Sequence, residues 1–175
     1  MFNKLFRRGL RDNPLVRVLR EIPLFRELSR GELREVVQTL EVASFAIDDA
    51  VFKQDDPGRG MFIVLSGGVD IFQMDEDGAR LHLSRSEVGS FFGETALLDA
   101  APRTASAIVF DEAELALFSR HALLNLAENR PHLGVKIAMQ LSQIIAERLR
   151  RTNRGLRSAR DEVGAAQKAK EEGAA

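Results

Sequence analysis

The chain has 175 residues, 45 % of them hydrophobic, which is enough to bury a real core, so one domain with helical extensions is expected rather than two. Its 25 Lys and Arg stand against 26 Asp and Glu, so no global field favours DNA, RNA or an anionic membrane, and charge has to be judged locally. The absence of cysteine excludes disulfides, Cys-type zinc sites and thiol chemistry, and no apolar run approaches the roughly 20 residues that span a bilayer, so a soluble cytoplasmic protein is expected.

Residues 1–13 open with MFNKLFRRGLRD, where Met1, Phe2, Leu5, Phe6 and Leu10 alternate with Lys4, Arg7, Arg8 and Arg11, a basic amphipathic pattern if helical. Such a segment can rest on a membrane surface, and it can equally contact a partner protein or the domain's own helices. Residues 14–40 read as N-terminal helices. Asn13 caps the first, with Pro14 at its first position and Leu15, Val18, Leu19 and Ile22 along it. Ser29 and Glu32 form a capping box before Leu33, Val36, Val37 and Leu40.

From 41 to 118 short segments rich in Val, Ile, Phe and Leu are punctuated by turn chemistry at Asp48-Asp49, Asp56-Pro57-Gly58, Gly67-Gly68, Asp75-Glu76-Asp77-Gly78 and Gly89. Strands this short and this regularly spaced indicate a sandwich, barrel or jelly roll, with the two apolar segments of 61–72 meeting at the Gly67-Gly68 turn, a pair that permits positive φ or close backbone approach. Helical signals return over 119–160. Ser119 is the cap of a helix bearing Leu123, Leu124 and Leu126, and Pro131 starts a longer one. On that longer helix Leu141, Ile145, Leu149, Thr152 and Leu156 make one apolar stripe interrupted by a hydroxyl, and the stripe needs a partner surface. The remainder, 161–175, is polar and Ala-rich and reads as a flexible tail, frayed helix or disorder. The fold class is therefore mainly β, a jelly-roll β-roll with N-terminal helices and a long C-terminal helix.

The chemistry concentrates in FFGETALLDAAPRTASA, residues 91–107. Gly93 permits close backbone approach, and the amides of Thr95, Ala96 and Leu97 at a helix N-terminus would point at a negative charge. Arg103 adds a fork of donors matched to phosphate oxygens, and the Thr104 hydroxyl adds another. Glu94 would repel a phosphate, so its task is to accept hydrogen bonds from a neutral hydroxyl, which a ribose 2′-OH fits.

The spacing Gly93-Glu94-x-Ala96-Leu97-Leu98 followed by Pro102-Arg103-Thr104-Ala105 resembles the phosphate-binding cassette of cyclic-nucleotide-binding domains. That family includes the catabolite activator protein, the protein kinase A regulatory subunit and the cyclic-nucleotide-gated channels. The resemblance covers roughly residues 22–156 and implies cAMP or cGMP as regulatory ligand. It assigns Glu94 to the ribose 2′-OH, Gly93 and the Thr95 and Ala96 amides to ribose and phosphate, Arg103 to the cyclic phosphate, and Thr104 to phosphate or base. Residues 139–153, MQLSQIIAERLRRTN, resemble the activator's dimerisation helix, which implies a homodimer through 137–156. In that register Thr152 falls where a threonine contacts adenine and Asn153 where a serine reaches across the dimer, so cAMP is favoured. Thr104 leaves cGMP open, because cGMP-selective relatives also carry a threonine after the cassette arginine. Too few patterned residues follow Thr152 for a winged helix-turn-helix, so the chain is expected to act on an effector protein or a second copy rather than on DNA.

Rival readings fit less well. A β–turn–β connection in which Arg103 and Glu94 only pair with each other is worth about 0–1 kcal/mol at a surface and leaves the glycine and amide arrangement unexplained. A ligand-free jelly-roll scaffold would keep only the fold. A metal-dependent cupin enzyme needs several converging histidines, whereas His82, His121 and His132 are scattered, and no nucleophile pattern stands out, so neither a metal nor an enzymatic activity is expected. Arg148, Arg150, Arg151, Arg154, Arg157 and Arg160 read as the solvated face of a helix rather than as a nucleic-acid stripe, since the chain has no Trp or Tyr to serve as a stacking platform.

Overall fold

A computed structural model describes residues 13–99 and 101–172, with side chains to Arg157 and at Arg160. The basic amphipathic segment 1–12 lies outside the described residues. The chain divides into two units, Met1–Gln140 and Leu141–Ala175.

In the first unit, helix α1 (Pro14–Glu21) begins as its sequence dictates: the Asn13 side chain accepts from the Leu15 amide at 2.9 Å, and proline takes the first turn where no amide partner is needed. Helix α2 (Arg30–Val37) opens on a complete capping box, with Glu32 Oε2 accepting from the Ser29 amide at 2.7 Å and Ser29 Oγ from the Glu32 amide at 3.3 Å. Between the two helices a 3₁₀ turn, Pro23–Phe25, carries Leu24 and Phe25 into the core. Phe25 meets Phe118 edge-on at 5.9 Å, which ties the helical layer to the sheet.

The sheet has six strands, β1 (Glu41–Phe45), β2 (Ala50–Phe52), β3 (Gly60–Met74), β4 (Arg80–Glu87), β5 (Phe91–Phe92) and β6 (Ser106–Ser119), all paired antiparallel. The order is β1-β6-β3-β4, with β2 beside β6 and β5 beside β3, so the long strands β3 and β6 form the spine of a jelly-roll-like roll. Its interior is filled by Val64, Val69, Phe92, Ala107, Val109, Ala113 and Leu115, with Phe45, Val51, Phe52, Phe62 and Ile71 packed against them.

One sequence expectation is corrected here. Gly67-Gly68 is not a turn between two strands but a point inside the continuous strand β3, where the register against β6 shifts. Gly67 sits at φ 70, a left-handed conformation glycine adopts at little cost, and a side chain on Gly68 would collide with the Phe110 ring. The glycine pair thus bends the strand into a roll rather than reversing it. The turn at 75–79 is as expected, with Asp75 Oδ1 accepting from the Ala79 amide at 2.7 Å.

Helix α3 (Arg120–Asn129) starts on the Ser119 cap and buries Leu123 and Leu126, while Leu124 faces solvent. Helix α4 begins at Pro131 and runs to Glu172, into the stretch for which the sequence leaves frayed helix or disorder. Within the first unit Lys136 Nζ lies 2.7 Å from Glu32 Oε1, an ion pair that joins α2 to the start of α4, and Arg130 Nε lies 3.0 Å from Glu35 Oε2, a second pair that joins α2 to the C-cap of α3. In the second unit α4 exposes Leu149 and Leu156, members of the predicted stripe.

Candidate functional site

The cassette begins where β5 ends. Phe91 and Phe92 are buried, and the chain then turns through Gly93 at φ 70 and ψ 24 into a four-residue 3₁₀ turn, Glu94–Leu97. The expected helix N-terminus is therefore a single tight turn. Its geometry engages the Ala96 amide with the Gly93 carbonyl at 3.3 Å, while Thr95 is exposed and Glu94, Ala96 and Leu97 are buried.

Opposite this turn the segment 101–103 is zipped to the loop 55–57. The Arg103 amide donates to the Asp56 carbonyl at 2.8 Å, the Asp55 amide to the Arg103 carbonyl at 2.9 Å, and Pro57 and Pro102 form a bridge. Gly58 fits beneath, since a Cβ there would lie 2.8 Å from the Ala96 Cβ. The turn read from Asp56-Pro57-Gly58 is therefore one wall of the site.

Arg103 is the centre of the arrangement. Its side chain is buried, with only 7 % of the residue exposed. Nη1 donates to the Gly93 carbonyl at 3.1 Å and Nη2 to the Gly60 carbonyl at 2.8 Å. The guanidinium carbon lies 4.1 Å from the centre of the Phe52 ring and 5.8 Å from that of Phe62. Nε is buried without a hydrogen-bond partner, as are Arg34 Nε and Arg120 Nε elsewhere. Burial pulls the Arg103 guanidinium below the usual arginine range, and the nearby Asp56 carboxylate pushes the other way. A guanidinium does not deprotonate at this cost, so the site holds a permanent, partly desolvated positive charge. That charge, with an unused buried donor, fits an anion such as a phosphodiester, because charge-assisted hydrogen bonds are strongest where water is excluded.

Of the expected ligand residues, Gly93, Glu94, Thr95, Ala96, Arg103 and Thr104 come together in the roll, with Glu94 and Arg103 buried and Thr95 and Thr104 exposed. Thr152 and Asn153 lie on the helix of the second unit, both exposed. Phe52 and Phe62 are the contributors that sequence reasoning missed: with Phe92 they form a triangle of rings 5.7–5.9 Å apart, indistinguishable in the sequence from ordinary core phenylalanines. The histidines do not converge. His82 pairs with Asp70 at 3.4 Å, His121 contacts Asn125, and among the described residues no cluster of three His, Asp or Glu could hold a metal. Nor is any described helix long and apolar enough to cross a membrane.

Residues 42–130 match the profile of the cyclic nucleotide-binding domain. The chain is 30 % identical over 139 residues to a CRP-like cAMP-activated global transcriptional regulator of Mycobacterium tuberculosis, covering 79 % of this chain and 60 % of that protein. Among solved structures, the Thermus thermophilus catabolite activator protein superposes with a TM-score of 0.70 at 30 % identity, over 77 % of this chain and 61 % of that one. The regulatory domain of Toxoplasma gondii PKA, solved with cAMP, superposes with a TM-score of 0.60 at 26 % identity, over 63 % and 42 %. The chain thus spans about 60 % of the length of the first two relatives.

Proposed function

Because the chain belongs to the cyclic nucleotide-binding domain family, we propose that it is a cytoplasmic cAMP sensor in which Arg103 takes the cyclic phosphate and Glu94 the ribose 2′-OH. The observation that carries this reading is the buried Arg103 guanidinium, held by two backbone carbonyls with its Nε donor unused. The Gly93 to Ala96 turn adjoins Arg103 through the Gly93 carbonyl, and the exposed Thr104 follows Arg103 in the chain, which supports their assignment to the same ligand. The names of two relatives, a cAMP-activated regulator and a kinase regulatory domain solved with cAMP, favour cAMP over cGMP. The resemblance that gives Thr152 the adenine contact and Asn153 a reach across a dimer supports the same choice.

The output is a change in helix population, with no chemical step. A ligand shifts an equilibrium only through differential affinity for its two states, so base contact made in one helix position would favour that position. The exposed Leu149 and Leu156 give a second copy or an effector protein an apolar surface to read. Thermal-shift and calorimetric titrations with cAMP, cGMP and divalent metals test the proposal. Stabilisation by cAMP more than by cGMP, and none by metals, is expected. A response to metals alone would point to cupin-type chemistry, and no response at all to a scaffold that retains only the fold.

A further inference from the structure

We propose that Phe52 is a positioning residue that holds the Arg103 guanidinium in its phosphate-binding pose, an inference resting on the reading of Arg103 as the phosphate ligand. Phe52 ends the three-residue strand β2, and the register against β6 shifts between Ala50 and Phe52. Such an irregularity re-aims a side chain, and here it lays the ring under the guanidinium at 4.1 Å from its carbon. The ring is only half-buried and leans on Phe62 and Phe92 at 5.9 and 5.8 Å, so its position is fixed by two neighbours.

Three contacts then define where Arg103 can be: the Gly93 carbonyl on Nη1, the Gly60 carbonyl on Nη2, and the Phe52 face below. The carbonyls fix the fork in its own plane. They do little against tilting out of that plane, which is the motion the ring face opposes. A cation desolvated in this way is attracted by the ring quadrupole, whereas an aliphatic side chain of similar volume offers no such attraction. Phe52 covers one face of the guanidinium, whose Nε is buried without a partner. A donor held in its bound orientation before the ligand arrives lowers the ordering cost of binding, so loss of the ring would appear in affinity.

The test uses Phe52→Leu and Phe52→Met, which keep apolar bulk without a ring, and Phe52→Tyr, which keeps the ring. Binding of cAMP is followed by calorimetry, folding by melting temperature, and the guanidinium itself by the NMR order parameter of the Arg103 Nε–H group, its resonance assigned with Arg103→Lys. Leu and Met are expected to weaken cAMP by about 3- to 20-fold, the affinity equivalent of one cation–π contact, and Tyr to restore it. The Nε–H order parameter, high in the wild type and Tyr variant, is expected to fall in the other two. The two aliphatic variants guard against either one misfolding. Wild-type affinity in both Phe52→Leu and Phe52→Met, or an unchanged order parameter in both, would overturn the assignment. If the wild type bound no cyclic nucleotide, the phosphate reading would fail, and the order parameter alone would decide whether Phe52 holds Arg103.

Discussion

Gly93 and Arg103 are fitted to each other twice over: the glycine carbonyl accepts from Nη1 at 3.1 Å, and a Cβ on the glycine would lie 2.6 Å from that same nitrogen. The left-handed turn that starts the cassette and the charge at its centre are therefore one structural unit, and a change at either should be felt at the other.

Gly93→Ala is the first test of that coupling. A left-handed alanine and a displaced guanidinium should together cost about 1–3 kcal/mol of stability and weaken cyclic-nucleotide binding. Gly93→Asn separates the two effects, since asparagine tolerates the left-handed backbone but still brings a Cβ. It should recover much of the melting temperature without recovering affinity, as read by thermal denaturation and calorimetry on the same samples.

The ion pair between α2 and α4 makes a prediction in pH. Hydrogen bonds from Lys136 and the Ser29 amide pull the Glu32 carboxyl from its ordinary 4.5 down to about 2. Its folded pKa lies below its unfolded one, so its contribution is complete above about pH 4.5 and is lost as the pH falls towards 2. The Lys136 side chain is 41 % exposed, and screening there keeps the pair's share near about 1 kcal/mol. Carboxyl NMR should show Glu32 titrating near 2 in the wild type. In Lys136→Met its pKa should rise towards the ordinary value yet stay below it, because the Ser29 amide remains.

Ser29→Ala removes one half of the capping box and should cost about 1 kcal/mol, lowering the melting temperature by roughly 2–4 °C for a chain of this size. Ligand affinity should be unchanged, because α2 contributes none of the cassette. A change in cAMP affinity in this variant would mean that the start of α2 is coupled to the site.

Thr152→Ala addresses the base. It should weaken cAMP more than it weakens a ribose cyclic phosphate that lacks a base, both measured by calorimetry. Equal losses would remove Thr152 from recognition and leave selectivity to Thr104 and the roll.

Much of this was legible in the residues, and the limits have physical causes. The caps at Asn13, Ser29 and Ser119 are local hydrogen-bond chemistry, so sequence alone suffices to place them. The cassette is legible because Gly93, Glu94 and Arg103 are residue types with few other uses at that spacing. Gly67-Gly68 misled because a glycine pair serves a reversal and a strand bend equally well, and only pairing with β6 decides between them. Phe52 was invisible because its role depends on a guanidinium that is distant in sequence, and nothing in the residues between announces that contact. The Asp56 loop reads as a turn, but its pairing with 101–103 is long-range and equally silent.

The most direct measurement is a calorimetric titration of cAMP into the wild-type chain and into Arg103→Ala. Saturable one-to-one binding is predicted for the wild type, with a loss of about thirty-fold or more in the variant, as expected when one side of a desolvated charge pair is truncated. Equal dissociation constants in the two proteins would contradict the account, because they would mean that the buried guanidinium does not receive the phosphate.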